Sequence, residues 1–466
     1  MLIVGNADPL KSYFVLHSFV EVVPAGPVHG SIRPPGSKSL TNRALLCAAF
    51  AGGRSRLSGA LQSDDTQVMI EALRRIGIEV TASKTGCELE VDGSAGAAVG
   101  NNGLPKQDLF IGNSGTTIRF LTAALSAYGG HYRLSGVPRM HERPIGDLVQ
   151  ALAAVCDGTI RCESSGGCPP VRIETSGWRG SNLRVAGNVS SQYLSGLMMA
   201  VPVARRIAQI QVAGELVSRP YVEMTASLMR DFGAKVRWID GEDSSAPLVC
   251  EIDGSAGYTA RAYAIEPDAS AASYFWAAAA ITGGRVAVEG LNAQAMQGDV
   301  GFVDCLEQMG CRVEREPDRI VVQGTDRLCG IDIDMNAISD TVQTLCVVAL
   351  FASGPTRIRG VAHNRFKETD RIGDLARELR KLGAIVSEHE DGLTVQPLES
   401  NAALSGAVLE TYDDHRMAMS LALAGLRLPG IKISNPACTA KTYPNYFADL
   451  ERLIERSHRW QTSETF

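Results

Sequence analysis

A chain of 466 residues is too long for one ordinary hydrophobic core, so two domains are the expected organisation. With 45% hydrophobic and 21% charged residues it has the make-up of a folded globular protein, and a formal net charge of −6 argues against a nucleic-acid-binding surface. Eleven scattered cysteines without a C-x-x-C pair, eight histidines without H-E-x-x-H, and no apolar run of about 18–20 residues argue against a disulfide scaffold, a protein-built metal site and a membrane span.

Residues 1–17 do not read as a secretory signal and are expected to be a tail ahead of the fold, in a soluble cytoplasmic protein. From there one pattern recurs about every 75 residues, longer than the usual solenoid repeat. A polar opening leads into an Ala- and Leu-rich helix. The openings are Ser37-Lys38-Ser39, Asn113-Ser114-Gly115-Thr116, Asn188-Val189-Ser190-Ser191, Asp268-Ala269-Ser270, Ser339-Asp340 and Asp413-Asp414-His415. A short alternating strand follows, for example Tyr132–Gly136 and Val286–Gly290. A second helix then has its apolar face predicted at Val68, Ala72, Leu73 and Ile76 in the first copy. The fifth copy has Ile372, Leu375, Leu379 and Leu382, and the sixth Phe447, Leu450, Leu453 and Ile454. Glycine then stops the helix, as at Gly77, Gly233, Gly310 and Gly383. Six such units, three per domain with a hinge near Gly257–Glu266, predict an α/β fold. Helix starts of this kind carry capping residues, and six of them aimed at one cleft would attract anions.

Charge is dense at these openings. Pro34–Arg43 puts Lys38, Ser39 and Arg43 at the start of a helix; it is not a kinase-type phosphate loop, because Ser31 stands where the first glycine is required. Gly112–Arg119 is a glycine-containing turn suited to close backbone approach by a ligand. Val137–Pro144 offers the guanidiniums of Arg139 and Arg143, and Ser190-Ser191-Gln192 offers neutral donors. In Asn364–Arg371, Lys367, Glu368 and Arg371 are predicted on the first turn of a helix, where cations are electrostatically misplaced unless they face a ligand. Tyr412–Met417 and Ala440–Thr442 repeat the theme, with His415 in a supporting place.

The stretches PPGSKSLTNRAL, GNSGTTIRFL, GVPRMHERPIGDL, GNVSSQY, NRFKETDRI, TYDDHRMAMSLAL and CTAKTYPNY resemble, in order, the motifs of the 5-enolpyruvylshikimate-3-phosphate synthases. The resemblance runs from about Gly30 to about Leu453. It implies a two-domain inverse α/β barrel-like fold of six βαβαββ-type units, three per domain, with the chain crossing between domains near Gly36 and near Glu266. The expected division is tails at 1–17 and 459–466, one domain over 37–265, and the other over 18–36 plus 266–458.

The activity implied is transfer of the enolpyruvyl group of phosphoenolpyruvate to the 5-hydroxyl of shikimate 3-phosphate by addition and elimination. Carried over motif by motif, shikimate 3-phosphate would meet Lys38, Ser39, Arg43, Ser190, Ser191, Gln192, Ser218, Tyr221, Asp340, Asn364 and Lys367. Phosphoenolpyruvate would meet Lys38, Asn113, Gly115, Arg139, Gln192, Arg371, His415, Arg416 and Lys441. Asp340 and Glu368 are the natural pair for proton transfer, with Lys38 and Lys441 beside them. No metal or organic cofactor is implied; the partners are the two small-molecule substrates, with no nucleic acid or membrane, and a monomer is expected. Gly115 leaves room for glyphosate, so inhibition is expected. The sequence departs from many family members at Phe120, where they have proline, so the helix there is expected to pack differently.

Two alternatives stand beside this reading. An enolpyruvyl transferase acting on UDP-N-acetylglucosamine would share the fold, but that family usually carries a loop cysteine, and none lies between Cys87 and Cys156. A catalytically dead binding module of the same fold would not be expected to keep Lys38, Asp340, Glu368 and Lys441 together.

Overall fold

The Ala- and Leu-rich stretches are α-helices in the computed structural model, which describes residues 18–95, 106–239, 248–399 and 406–462; the expected tail 1–17 lies outside them. In chain order the helices are α1 (Lys38–Ala49), α2 (Asp64–Arg75), α3 (Gly115–Tyr128), α4 (Gly146–Ala153), α5 (Ser191–Val203) and α6 (Arg219–Asp231). They continue with α7 (Ala269–Thr282), α8 (Phe302–Gln308), α9 (Val342–Ala349), α10 (Gly373–Lys381), α11 (His415–Ala424) and α12 (Tyr446–Ile454). The odd-numbered helices are the first helices of the six units and are buried along nearly their whole length, as helices apolar on all sides must be.

Caps form where short polar side chains precede these helices. Ser37, Ser114, Ser190 and Asp414 each accept a first-turn backbone N–H. The fifth unit differs. Asn336–Thr341 is a 3-10 turn and Thr341 stands at the N-cap of α9 without a side-chain bond, so Asp340 is not a cap.

One sheet plan serves all six units. In the second, Gln107–Phe110 runs parallel to Gly130–Ser135 across α3, and Val171–Trp178 pairs antiparallel with both Gly130–Ser135 and Cys156–Cys162. The third and fifth units repeat this order from continuous chain. The other three take one strand from a distant segment. Tyr258–Thr259 and Ala262–Ala264 lie parallel to Ala51–Ser58 in the first sheet. His29–Ile32 lies parallel to Arg285–Glu289 in the fourth. Phe19–Val22 fills the sixth, between Ile431–Ser434 and Arg459–Gln461. The sixth unit therefore ends in a strand, and residues 459–461, expected as part of a tail, are the strand that follows the second helix in every other unit.

The chain divides into two compact units. One holds the chain up to Pro34, Ala269–Ala295 and the chain from Asp299 on; the other holds Pro35–Asp268 and Met296–Gly298. Each has its own hydrophobic core. Within the second of these, the two linking segments bind one another: Ser37 N–H donates to Glu266 O and Asp268 N–H to Pro35 O, both at 2.8 Å, with Gly36 opposite Pro267.

Two helix predictions are corrected. The buried side of α2 is Asp65, Thr66, Met69, Ile70, Ala72 and Leu73, whereas Val68 and Ile76 are only half-buried. The helix is turned so that an acidic residue joins its apolar face. The Asn364–Arg371 run is not helical: a 3-10 turn ends at Phe366 and α10 begins at Gly373, so these residues line a connecting bend.

Candidate active site

Within the unit that holds α1 to α6, Lys38 sits in the first turn of α1, buried, with Nζ 3.4 Å from the Asp65 carboxylate that the turned face of α2 presents. Its backbone N–H donates to Asp268 Oδ2 at 3.2 Å. One turn on, Arg43 is wholly enclosed. Nε donates to Thr225 Oγ1 (2.7 Å), Nη1 to Ser39 O (2.9 Å), and Nη2 to Ser195 Oγ and Tyr221 O (both 3.4 Å). Its guanidinium lies over the Phe120 ring, 4.9 Å from the centroid. All these partners are neutral, and burial pushes the Arg43 pKa down to about 10.

Three more predicted residues meet at the start of α3. Gly115 has no side chain because there is no room for one: a Cβ would lie 2.4 Å from Arg143 Nη2 and 2.8 Å from Arg119 Nη1. Arg143 Nη1 donates to the backbone and side-chain oxygens of Asn113 at 3.1 and 3.3 Å. Arg119 Nη1 donates to Gln192 Oε1 at 2.7 Å, and Gln192 Nε2 donates to Thr116 Oγ1 at 3.3 Å. Ser190 caps α5, Ser191 opens it, and Ser218 precedes α6 in the left-handed conformation, φ 53°. Arg139 is placed otherwise: it is surface-facing and pairs with Glu142 at 2.7 Å. Of the two arginines in its motif, Arg143 is the buried one at Gly115. The motifs held the signal for Arg119 and Arg143, but the sequence reading gave neither a site assignment.

The unit with α7 to α12 gathers the remaining predicted residues around one guanidinium. Arg371 is buried and donates through Nε to Asp414 Oδ2 (2.7 Å), through Nη2 to Glu368 Oε2 (2.9 Å) and through Nη1 to Asp340 Oδ1 (3.1 Å). Burial opposes its charge, but the carboxylates of Asp414, Glu368 and Asp340 outweigh it and hold its pKa above the ordinary value. Asp340 also meets Arg416 Nη2 at 2.7 Å and Lys367 Nζ at 4.0 Å. Glu368 Oε1 meets Lys441 Nζ at 3.1 Å. Four cations thus face three carboxylates in a largely buried cluster, which suits binding of an anion. Asn364 Nδ2 donates to Ser339 O at 2.9 Å and so ties the bend to the Asp340 turn. His415 is fully buried, its Nδ1 3.7 Å from Asp414 Oδ1. Asp414, absent from the sequence-derived site, was legible only as a helix cap.

Chemically, these clusters offer buried cations for phosphate and carboxylate groups, and two carboxylates, each within reach of a lysine or arginine, for moving protons. The family model for EPSP synthase (3-phosphoshikimate 1-carboxyvinyltransferase) matches residues 22–450. The chain is 45% identical over 430 residues to a 3-phosphoshikimate 1-carboxyvinyltransferase of Nostoc punctiforme, covering 92% of this chain and 97% of that protein. It is 43% identical over 430 residues to one of Shewanella pealeana, covering 92% and 98%. Among solved structures, an EPSP synthase from Acinetobacter baumannii superimposes with a TM-score of 0.77 at 25% identity, over 95% of this chain and 99% of that one. Motif order, sheet plan, clustered cations and these likenesses agree, and the chain belongs to the EPSP synthase (3-phosphoshikimate 1-carboxyvinyltransferase) family.

Proposed function

We propose that this chain transfers the enolpyruvyl group of phosphoenolpyruvate to the 5-hydroxyl of shikimate 3-phosphate and releases inorganic phosphate. The observation that carries the chemistry is Glu368, buried and held between Lys441 (3.1 Å) and Arg371 (2.9 Å), with Asp340 on the far side of Arg371. In this reading the 5-hydroxyl oxygen bonds to C2 of phosphoenolpyruvate while C3 gains a proton. The C2–O bond to phosphate then breaks, C3 gives the proton back, and the enol ether forms.

Asp340 accepts the hydroxyl proton and Glu368 serves C3, each with its charge balanced by the cations around it. Lys38, Arg371, Arg416 and Lys441 stabilise phosphate and carboxylate charge, together with Asn113, Gly115, Gln192 and His415. Arg143 belongs with them by its place against Gly115 and Asn113, and it takes the part first expected of Arg139. Lys38, Ser39, Arg43, Ser190, Ser191, Gln192, Ser218, Tyr221, Asp340, Asn364 and Lys367 hold shikimate 3-phosphate. A reducing, cytoplasmic compartment belongs to the same proposal; all eleven cysteines are free thiols.

The test is phosphate release from phosphoenolpyruvate with shikimate 3-phosphate, beside a parallel reaction with UDP-N-acetylglucosamine. Release with the first alone, reduced by about 10²–10⁴ in Glu368→Gln, is the expected result. Release with the sugar nucleotide alone, or with neither, would overturn the reading.

A further inference from the structure

Tyr412 and Asp413 stand just before the Asp414 that pairs with Arg371, and both adopt the left-handed backbone conformation, with φ of 52° and 56°. Neither is glycine, so each holds a conformation that costs free energy, more for the bulky Tyr412 than for an aspartate, and that the surroundings must keep in place. The restraint is visible. Glu378, a fully buried carboxylate on α10, accepts the Glu410 backbone N–H at 2.8 Å and the Tyr412 hydroxyl at 2.7 Å. Arg377, one residue earlier, donates to the Tyr412 hydroxyl at 3.1 Å, and its guanidinium lies 5.7 Å from the Tyr412 ring centroid. The first turn of the same helix holds the other side: Asp374 accepts from the Thr369 hydroxyl, next to Glu368, and pairs with Arg377 at 2.6 Å.

A single short helix therefore grips both segments that close on Arg371, the Glu368 bend and the Asp414 turn. Without the Glu378–Tyr412 bond, the turn would relax toward negative φ. Asp414 would then leave the N-cap of α11, where it accepts Arg416 N–H at 2.8 Å, and would loosen its hold on Arg371.

We infer that Glu378 and Tyr412 are positioning residues that hold the strained Tyr412–Asp413 turn, so that Asp414 fixes Arg371 and Arg416 for the substrate anion. The inference rests on the proposed function for its kinetic consequence and on geometry alone for the clamp itself. Both can be read separately. Tyr412→Phe removes one hydroxyl and keeps the ring. Asp413→Gly removes the strain at the second position, where the side chain makes only an exposed bond with Asn435 at 3.1 Å.

Amide hydrogen exchange across residues 410–416 and steady-state kinetics would be measured in the wild type, Tyr412→Phe, Asp413→Gly and the double variant. Tyr412→Phe is expected to speed exchange in that segment about tenfold and to raise KM for phosphoenolpyruvate about five- to tenfold, with the melting temperature nearly unchanged. Adding Asp413→Gly is expected to bring both back to within about threefold of the wild type. Unchanged exchange in Tyr412→Phe would overturn the clamp, and so would a loss that glycine does not rescue. A fall in melting temperature with wild-type kinetics would show that the bond serves folding alone. If the wild type releases no phosphate, the proposed function fails, while the exchange data still decide the clamp.

Discussion

Arg43 is a buried cation whose described partners are two hydroxyls, two carbonyls and one aromatic face. A guanidinium kept charged there without a counter-ion is ready for an anionic ligand, and the Phe120 ring holds its plane. The family motif flagged Phe120 as a departure, but its consequence lay in a contact between residues 43 and 120 that no local pattern contains. Phe120→Leu keeps an apolar side chain and removes the π face. A desolvated cation–π contact is worth about 1–2 kcal/mol, so KM for shikimate 3-phosphate should rise about five- to thirtyfold with a smaller change in kcat. Equal falls in kcat and kcat/KM with unchanged KM would contradict the stacking argument.

Gly115→Ala tests the neighbouring group in the opposite sense, by adding an atom. Its Cβ must push aside two guanidiniums. KM for phosphoenolpyruvate should rise by about tenfold or more, and an unchanged KM would show that Arg119 and Arg143 do not meet that substrate. The same crowding is what favours Arg143 over Arg139 in the proposed phosphoenolpyruvate site. The two arginines are four residues apart in one motif, and only burial tells the structural surface pair with Glu142 from the enclosed Arg143.

Among the elements, the apolar faces of α10 and α12 fall where periodicity predicts them: Leu375 and Leu379 on α10 and Phe447, Leu450, Leu453 and Ile454 on α12 are buried, with Glu378 buried beside the α10 pair. On α2 the prediction missed by rotation. Periodicity weighs only apolar side chains, while the fold also buries Asp65 to meet Lys38. The Asn364–Arg371 run failed for a related reason: its charges are spaced as on a helix, yet they satisfy one another through a bend around Arg371.

The linking segments were legible as Pro- and Gly-containing, but their pairing was not. At Gly36 a Cβ would stand 1.9 Å from the Gly59 carbonyl oxygen, which is backbone and cannot swing away. Gly36→Ala should therefore cost about 1–3 kcal/mol through displacement of the Ser37–Glu266 and Pro35–Asp268 bonds. Chemical denaturation would report it as a lower midpoint with the slope kept. An unchanged midpoint would mean that the linker shifts freely.

Across the whole chain, the repeat showed six similar units but not which three would borrow a strand, or from where. Strand exchange is a long-range choice: His29–Ile32 and Phe19–Val22 are four-residue strands, and nothing in so short a sequence names the strand it will pair with. The sixth sheet is closed by both ends of the described chain, and His458 sits at that closure. It is buried, its ring packs edge-on against Phe447, and its Nδ1 accepts the Val23 N–H at 3.4 Å. Burial pushes its pKa down to about 4, and that of His363 down to about 3.

Both folded values lie below the unfolded value of about 6.5, so between about pH 6.5 and 4 the unfolded chain binds protons that the folded chain refuses. Stability must then fall as pH falls, by up to about 1.4 kcal/mol per pH unit for each histidine once well below pH 6.5. His458→Gln keeps an acceptor for Val23 but cannot take a proton, so its melting temperature should decline less steeply than the wild type's from pH 6.5 to 5. Parallel melting curves for the two proteins would mean that His458 is charged in the folded state, and the closure of the sixth sheet would then need another explanation for its tolerance of a buried cation.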